Sequence, residues 1–331
     1  MKKILALFLV IATVGIVKSQ QDAQFSQNRF LNTSFNPGAV GIKGMDCFGL
    51  TLRQQWIGFE GRPTTAMLSY ERAMPRYSSG LGAILVLDKI GLESNLFFKV
   101  NYARHISLSN GAKLGIGLDV GLINKQISGD ILAGVPTDPN LVGLSGQSAM
   151  NLDVGFGAFY YTNDLYFGIS GQKLVPQTVN WGASKPKIKP HTYFMGGYNY
   201  KVNANFTLKP SFLVKTDFVA TQVDANLLLD YKNKVWGGAS YRIQDAIVVM
   251  AGFMVPLGLP NPLKVGLAYD FTTQNLKNSG VFTSAPDSDG NSSTKTNNRS
   301  LGAVELFLGY CFVKPDKPDW DIYVDPLFGN N

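Results

Sequence analysis

Between residues 46 and 313 the chain repeats one unit, about ten residues in which apolar side chains alternate with small or polar ones, followed by turn residues. In residues 151–160, Leu152, Val154, Phe156, Ala158 and Tyr160 fall on one face and Asn151, Asp153, Gly155 and Gly157 on the other. Only an extended strand, with its period of two, keeps those sets apart; a helix would scatter both around its circumference. The pattern recurs in 113–122, in 263–271 and, broken by Leu228, in 223–231. One face suits lipid and the other a lumen, which is the signature of a transmembrane antiparallel β-barrel, an all-β fold. About fourteen strands are expected, an even number as such barrels show. They start near residues 46, 64, 79, 93, 111, 149, 164, 191, 204, 221, 234, 245, 262 and 299.

The connections sort into two alternating sets. One set is short, as at Met74 to Tyr77, Ser109 to Gly111, Thr162 to Asp164 and Lys232 to Lys234. The other holds the long connections 126–148, 173–190 and 272–299. Barrels place short turns on the periplasmic side and long loops outside.

Ahead of the barrel, Lys2 and Lys3, an apolar run from residue 4 to 17 and small or polar residues at Lys18, Ser19 and Gln20 predict a secretory signal peptide, residues 1–19. No cysteine lies near the expected cut, which argues against a lipoprotein. No later run reaches the roughly 18 apolar residues of a spanning helix. Loss of three lysines with the signal takes 30 basic residues to 27 against 23 acidic and the net charge from +7 to +4, which weakens any case for nucleic acid as partner. Residues 20–45 carry Phe25, Phe30 and Phe35 without strand alternation and are expected to enter the lumen as a plug or to line its inner mouth. After Phe312 a tail, 314–331, mixes Asp316, Asp319, Asp321 and Asp325 with Trp320, Tyr323 and Phe328, and an even strand count leaves it periplasmic.

Catalytic chemistry finds no foothold. The two histidines, His105 and His191, stand in no metal-ligand spacing and beside no nucleophile, so neither a catalytic nor a metal or cofactor site is expected. The pairs Gly115/Gly117 and Gly155/Gly157 lie within strands rather than at a strand-to-helix turn, so they read as small lumen residues and not as a phosphate cradle. Lumen-side charges of both signs, among them Lys99, Asp119, Asp153, Lys209, Asp224, Asp230, Asp270 and Glu305, suit internal pairing better than a one-sign pore lining. Cys47 opens the first strand and Cys311 closes the last, neighbours once the barrel shuts and alike in parity. Register, which the sequence does not give, decides between a disulfide and two thiols; a Cα separation beyond ~7 Å would exclude the bond.

Two segments have unusual composition. The first hairpin turns through Arg53, Gln54, Gln55, Trp56, Ile57, Gly58, Phe59, Glu60, Gly61, Arg62, Pro63, Thr64 and Thr65, and the N-terminal stretch carries Phe25, Ser26, Gln27 and then Asn36, Pro37, Gly38, Ala39, Val40 and Gly41. The first hairpin is expected to fold inward, Trp56 and Phe59 finding apolar cover while Arg53 and Arg62 pair with lumen carboxylates. Together the two boxes resemble the PorP/SprF-like outer-membrane proteins of the type IX secretion system. Gly38 and Asn28 depart from that family's usual alanine and aromatic.

The resemblance implies a non-enzymatic outer-membrane barrel of the type IX secretion and gliding machinery, which helps export cargo carrying type B C-terminal domains or holds it at the cell surface. Partners implied are that cargo, periplasmic components of the machine and outer-membrane lipid. The alternative is a porin or hydrophobic-solute channel.

Overall fold

The computed structural model describes residues 23–59, 61–127, 146–180, 187–259, 261–273 and 301–312. The expected signal peptide, the tail 314–331 and parts of the three long connections lie outside the described residues. Fourteen strands form the wall: β1 Asp46–Gln54, β2 Thr64–Met74, β3 Ser79–Ile90, β4 Glu93–Ser107, β5 Lys113–Ile127, β6 Ser148–Tyr161 and β7 Leu165–Gln172 make the first half. The second half is β8 His191–Tyr198, β9 Phe206–Thr216, β10 Thr221–Tyr231, β11 Val235–Arg242, β12 Ala246–Val255, β13 Leu263–Thr272 and β14 Ala303–Phe312. Each pairs antiparallel with its sequence neighbours, β7 with β8 and β8 with β9 included, and β1 pairs with β14 to close the ring. Expected starts at 111, 204 and 299 fall at 113, 206 and 303, where turn residues extend further than alternation alone suggests.

The alternation survives as burial. Along β5 and β6 the residues Gly115, Gly117, Asp119, Asn151, Asp153 and Gly155 are buried while Ile116, Leu118, Val120, Leu152 and Phe156 are exposed. With Phe98, Leu122, Leu267 and Phe271, the latter form an apolar outer surface far larger than a soluble protein leaves uncovered, and a hydrocarbon environment accounts for it. Among the described residues no helix is long and apolar enough to cross a membrane.

Much of the lumen is a packed apolar core: Phe25, Phe30 and Phe35 meet Met67, Phe159, Tyr193, Trp236 and Phe307 from the wall, and Leu228, which broke the alternation of its strand, is 2% exposed there. Phe30 stacks on Phe307 at 5.4 Å between ring centres and meets Trp236 edge-on at 4.9 Å. Such burial contributes on the order of 2 kcal/mol per large side chain, so the N-terminal segment supplies core that the wall alone lacks. At the seam Cys47 and Cys311 lie directly opposite in register and are joined by a disulfide.

Candidate functional site

The N-terminal segment runs the length of the lumen. At the loop end Gln24 donates to Gln222 at 3.0 Å and accepts from Gln55 at 3.3 Å. Three short helical turns follow, Asn28–Phe30, Asn32–Phe35 and Pro37–Ala39, and at the turn end Lys43 pairs with Glu71 at 2.5 Å before β1 begins. Inside a closed sheet this stretch cannot join a ladder, so its backbone groups must be met by short turns and by wall side chains.

Its first anchor is ionic. Arg53 on β1 bonds Asp270 on β13 at 2.7 Å and Glu305 on β14 at 3.2 Å, and Arg242 on β11 reaches Asp270 at 3.1 Å and Asp224 at 3.2 Å. Three buried carboxylates therefore face two guanidinium groups. The N–H groups of Ser26 and Gln27 donate to the two oxygens of Glu305 at 2.7 and 2.8 Å, and the Ser26 hydroxyl lies within 2.9 Å of both Asp270 oxygens and accepts from Arg53 at 2.7 Å. Charge-assisted bonds of this kind are among the stronger ones, and a buried carboxylate deprived of its donors is costly. Asn28 completes the contact, donating to Asp224 at 3.0 Å and accepting from Asn226 at 3.1 Å.

The second anchor is steric. The Asn36 side chain accepts from the Gly38 N–H at 2.8 Å and donates to the carbonyls of Ala158 and Ile169 at 3.0 and 3.1 Å, two residues that face each other across β6 and β7. Pro37 and Gly38 then press on the wall at Gly115, Gly117 and Gly157. A Cβ at any of the three would overlap Gly38, Pro37 or Asn36. Gly41, at φ 82°, lies against the backbone of Gly80. His105 bonds the Val40 carbonyl at 2.8 Å and the Tyr161 hydroxyl at 3.2 Å.

The two sequence boxes thus divide. Phe25, Ser26, Gln27, Asn36, Pro37 and Gly41 all lie in the lumen, and of the second box Arg53 and Thr65 join them, Thr65 donating to Asp88 at 2.6 Å. Gln54, Gln55, Trp56, Gly58, Phe59, Gly61 and Pro63 form the rim. There Gln55 N–H donates to Pro63, Ile57 exchanges backbone bonds with 301–302 at 3.0 and 3.1 Å, and Gly91 donates to Gly61. The expected inward fold of this turn is corrected: Trp56 is 40% exposed and Arg62 is exposed, because the turn leaves the wall beyond β1 and binds the approach to β14 instead. Sequence reading missed Arg242, Arg29 and Gly80. Arg242 shares the lumen parity of Trp236 and Ser240, a signal that was available. Arg29, which donates to Asn199 at 2.6 Å, has no periodicity to reveal it. Among the described residues no group of three or more His, Cys, Asp or Glu is placed to hold a metal ion.

Three solved structures resemble the chain at low identity. The CymD monoaromatic hydrocarbon channel matches at a TM-score of 0.48 and 11% identity, covering 90% of this chain and 95% of that one. A TodX deletion mutant, also titled a monoaromatic hydrocarbon channel, gives 0.43 and 11% over 80% and 88%, and the NanC porin 0.34 and 11% over 79% and 97%. No curated protein matches. The family model for the type IX secretion system membrane protein PorP/SprF matches residues 17–284. On the strength of that match, which takes in both boxes and thirteen of the fourteen strands, the chain belongs to the PorP/SprF family of type IX secretion system membrane proteins.

Proposed function

We propose that this is a non-enzymatic outer-membrane barrel that helps the type IX machinery export, or hold at the cell surface, cargo carrying type B C-terminal domains. The observation that carries the reading is the filled lumen. A segment clamped by Arg53, Arg242 and Glu305 and bedded on wall glycines occupies the path a passive solute would take. A barrel built this way serves as a platform rather than a pore, with its binding surfaces at the two ends.

On this reading the connections 126–148, 173–190 and 272–299 meet cargo on the outer side, and the inner rim with the tail 314–331 meets periplasmic components. The family's place in type IX secretion supports contact with that machinery; the cargo class and a role in gliding are part of the proposal. The competing channel reading draws on one feature, a cavity of about 80 Å³ lined by Phe25, Phe35, Met67, Ile84 and Tyr193.

Purification from native membranes with the associated proteins identified, alongside planar-bilayer recording, tests the choice. Co-purified cargo or periplasmic ring proteins with a silent bilayer are expected. Steady conductance without such partners would overturn the platform reading.

A further inference from the structure

At the turn end of the barrel the outer surface changes character. Aromatic rings crowd its edge: Phe48 lies 4.7 Å from Tyr70 and 6.2 Å from Phe312 between ring centres, and Phe312 lies 6.0 Å from Tyr310. Girdles of this kind stand where hydrocarbon gives way to head groups. Just beyond it, around the turn from β2 to β3, three arginines gather. Arg72 near the end of β2, Arg76 in the turn and Arg104 near the end of β4 are all exposed.

Strand parity decides what Arg72 and Arg104 face. Residues opposite each other in a ladder share a side of the sheet. Arg72 pairs with Leu81 and Leu81 with Tyr102, both exposed on the lipid side, and Arg104 lies two residues on from Tyr102. Both arginines therefore leave the wall sideways, toward the bilayer, and not downward into the periplasm. Their positions are two strand spacings apart, roughly 10 Å, and one two-residue step along, a gap that two long side chains can close on one phosphate. Neighbouring carboxylates leave these cations largely unneutralised. Asp46 approaches Arg72 only to 4.0 Å, Glu71 is taken by Lys43 at 2.5 Å, and among the described residues no carboxylate pairs with Arg76 or Arg104. Arg104 donates to the Tyr77 carbonyl, which holds its guanidinium beside the turn and leaves further N–H groups to donate.

We propose that Arg72, Arg76 and Arg104 bind the phosphate of an inner-leaflet phospholipid, whose acyl chains run up the wall along Leu68, Leu85 and Phe98, one row of paired positions. A guanidinium group suits that ligand, since its fork of donors meets two phosphate oxygens at once. An acidic protein face is the poorer occupant, because it would have to enter the head-group layer to meet Arg72 and Arg104. The inference needs the barrel's place in the membrane and is independent of its cargo. A lipid held here fixes the depth of the turn-end rim.

Native mass spectrometry of the full barrel in a phosphate-free detergent, titrated with phosphatidylglycerol, reads the site, with heat-modifiable gel mobility as the check on folding. Arg72→Gln with Arg76→Gln and Arg104→Gln is expected to bind the lipid about a hundredfold more weakly, at roughly 1 kcal/mol per cation near an anionic surface. Lys201→Gln with Lys232→Gln and Lys234→Gln removes as much exposed charge from another part of the same rim and keeps the affinity. Diacylglycerol, which has the chains without the phosphate, should bind the wild type as weakly as phosphatidylglycerol binds the arginine variant, a comparison that needs no substitution in the wild type. Undiminished binding by the arginine variant, or diacylglycerol bound as tightly as phosphatidylglycerol, would remove the site. Equal loss in the lysine variant would reduce the effect to the field of the whole rim and overturn the proposal. So would displacement of the lipid by an equal concentration of inorganic phosphate, which would assign the arginines to the free ion. Loss of a co-purifying periplasmic protein from the arginine variant, with lipid binding intact, would make the cluster a protein contact instead.

Discussion

Ser26 and Arg53, 27 positions apart and each within one of the two sequence boxes, share a hydrogen bond of 2.7 Å in the lumen. The boxes are two halves of one clamp. The first carries a serine and two backbone N–H groups into the barrel, and the second supplies the arginine that gathers Asp270 and Glu305 to receive them. Arg53→Leu leaves three carboxylates to Arg242 alone. A loss of about 3–5 kcal/mol in unfolding free energy is expected, measured by urea titration of the detergent-refolded barrel. The pair Arg53→Leu with Glu305→Gln recovers part of it, since the stranded charge is gone. No recovery would mean that Arg53 acts by packing alone.

The wall glycines make the same segment a matter of shape. Gly117→Val drives a side chain into Pro37 and Gly38, and the segment must lift from the wall. The expected result is a lumen that conducts in planar bilayers where the wild type does not. Gly237→Ala serves as the control, because the nearest atom to a Cβ there is the Met250 carbonyl at 3.7 Å, an ordinary contact. If both variants remain silent, the segment stays seated without the close approach at Gly117.

The wall was legible in the sequence because lipid on one side and lumen on the other impose a two-residue period over every strand. Leu152, Val154 and Phe156 could have faced nothing else. The contents of the lumen were not legible to the same depth. The glycines at 115, 117 and 157 looked like relief from crowding, and they are, but the crowding comes from Asn36, Pro37 and Gly38, more than seventy positions away from each. No local pattern encodes that contact. Paired lumen charges were readable as a class from their mixed sign, yet the third dimension alone shows that Ser26 and Gln27 complete the pairing around Glu305. Trp56 and Arg62 were misplaced because an aromatic and a cation in a turn can face either way, and the bond from Ile57 to Gly302 decides it.

The seam disulfide makes its own prediction. Cys47 and Cys311 enclose a sequence separation of 264 residues, and a long closed loop restricts the unfolded chain strongly. Cys47→Ser with Cys311→Ser is expected to keep the folded barrel and its heat-modifiable mobility, while losing about 2–5 kcal/mol of stability. Unfolded wild type should run faster on a gel without reductant than with it, and the double variant should not. Equal mobility of the wild type under both conditions would show that the bond is absent in the cell.

Asn36 gives the sharpest test of the lumen segment's geometry. Its amide is fixed in orientation, because the oxygen accepts from Gly38 N–H and the nitrogen is directed at two carbonyl oxygens, those of Ala158 and Ile169. Asn36→Ala leaves the Gly38 N–H without its acceptor and takes the shared second donor from the Ala158 and Ile169 carbonyls, which keep their ladder bonds, an expected cost of about 1–3 kcal/mol. Asn36→Asp keeps the shape and the bond to Gly38 but sets an acceptor against two acceptors, so it should be the more damaging change despite being nearly isosteric. The order of the two variants in urea titration is the measurement. Asparagine is required at 36 for its nitrogen if Asp is worse than Ala; were Ala the worse, the side chain would matter chiefly as filler over Gly157, and the two-carbonyl bridge between β6 and β7 would contribute little to holding the segment.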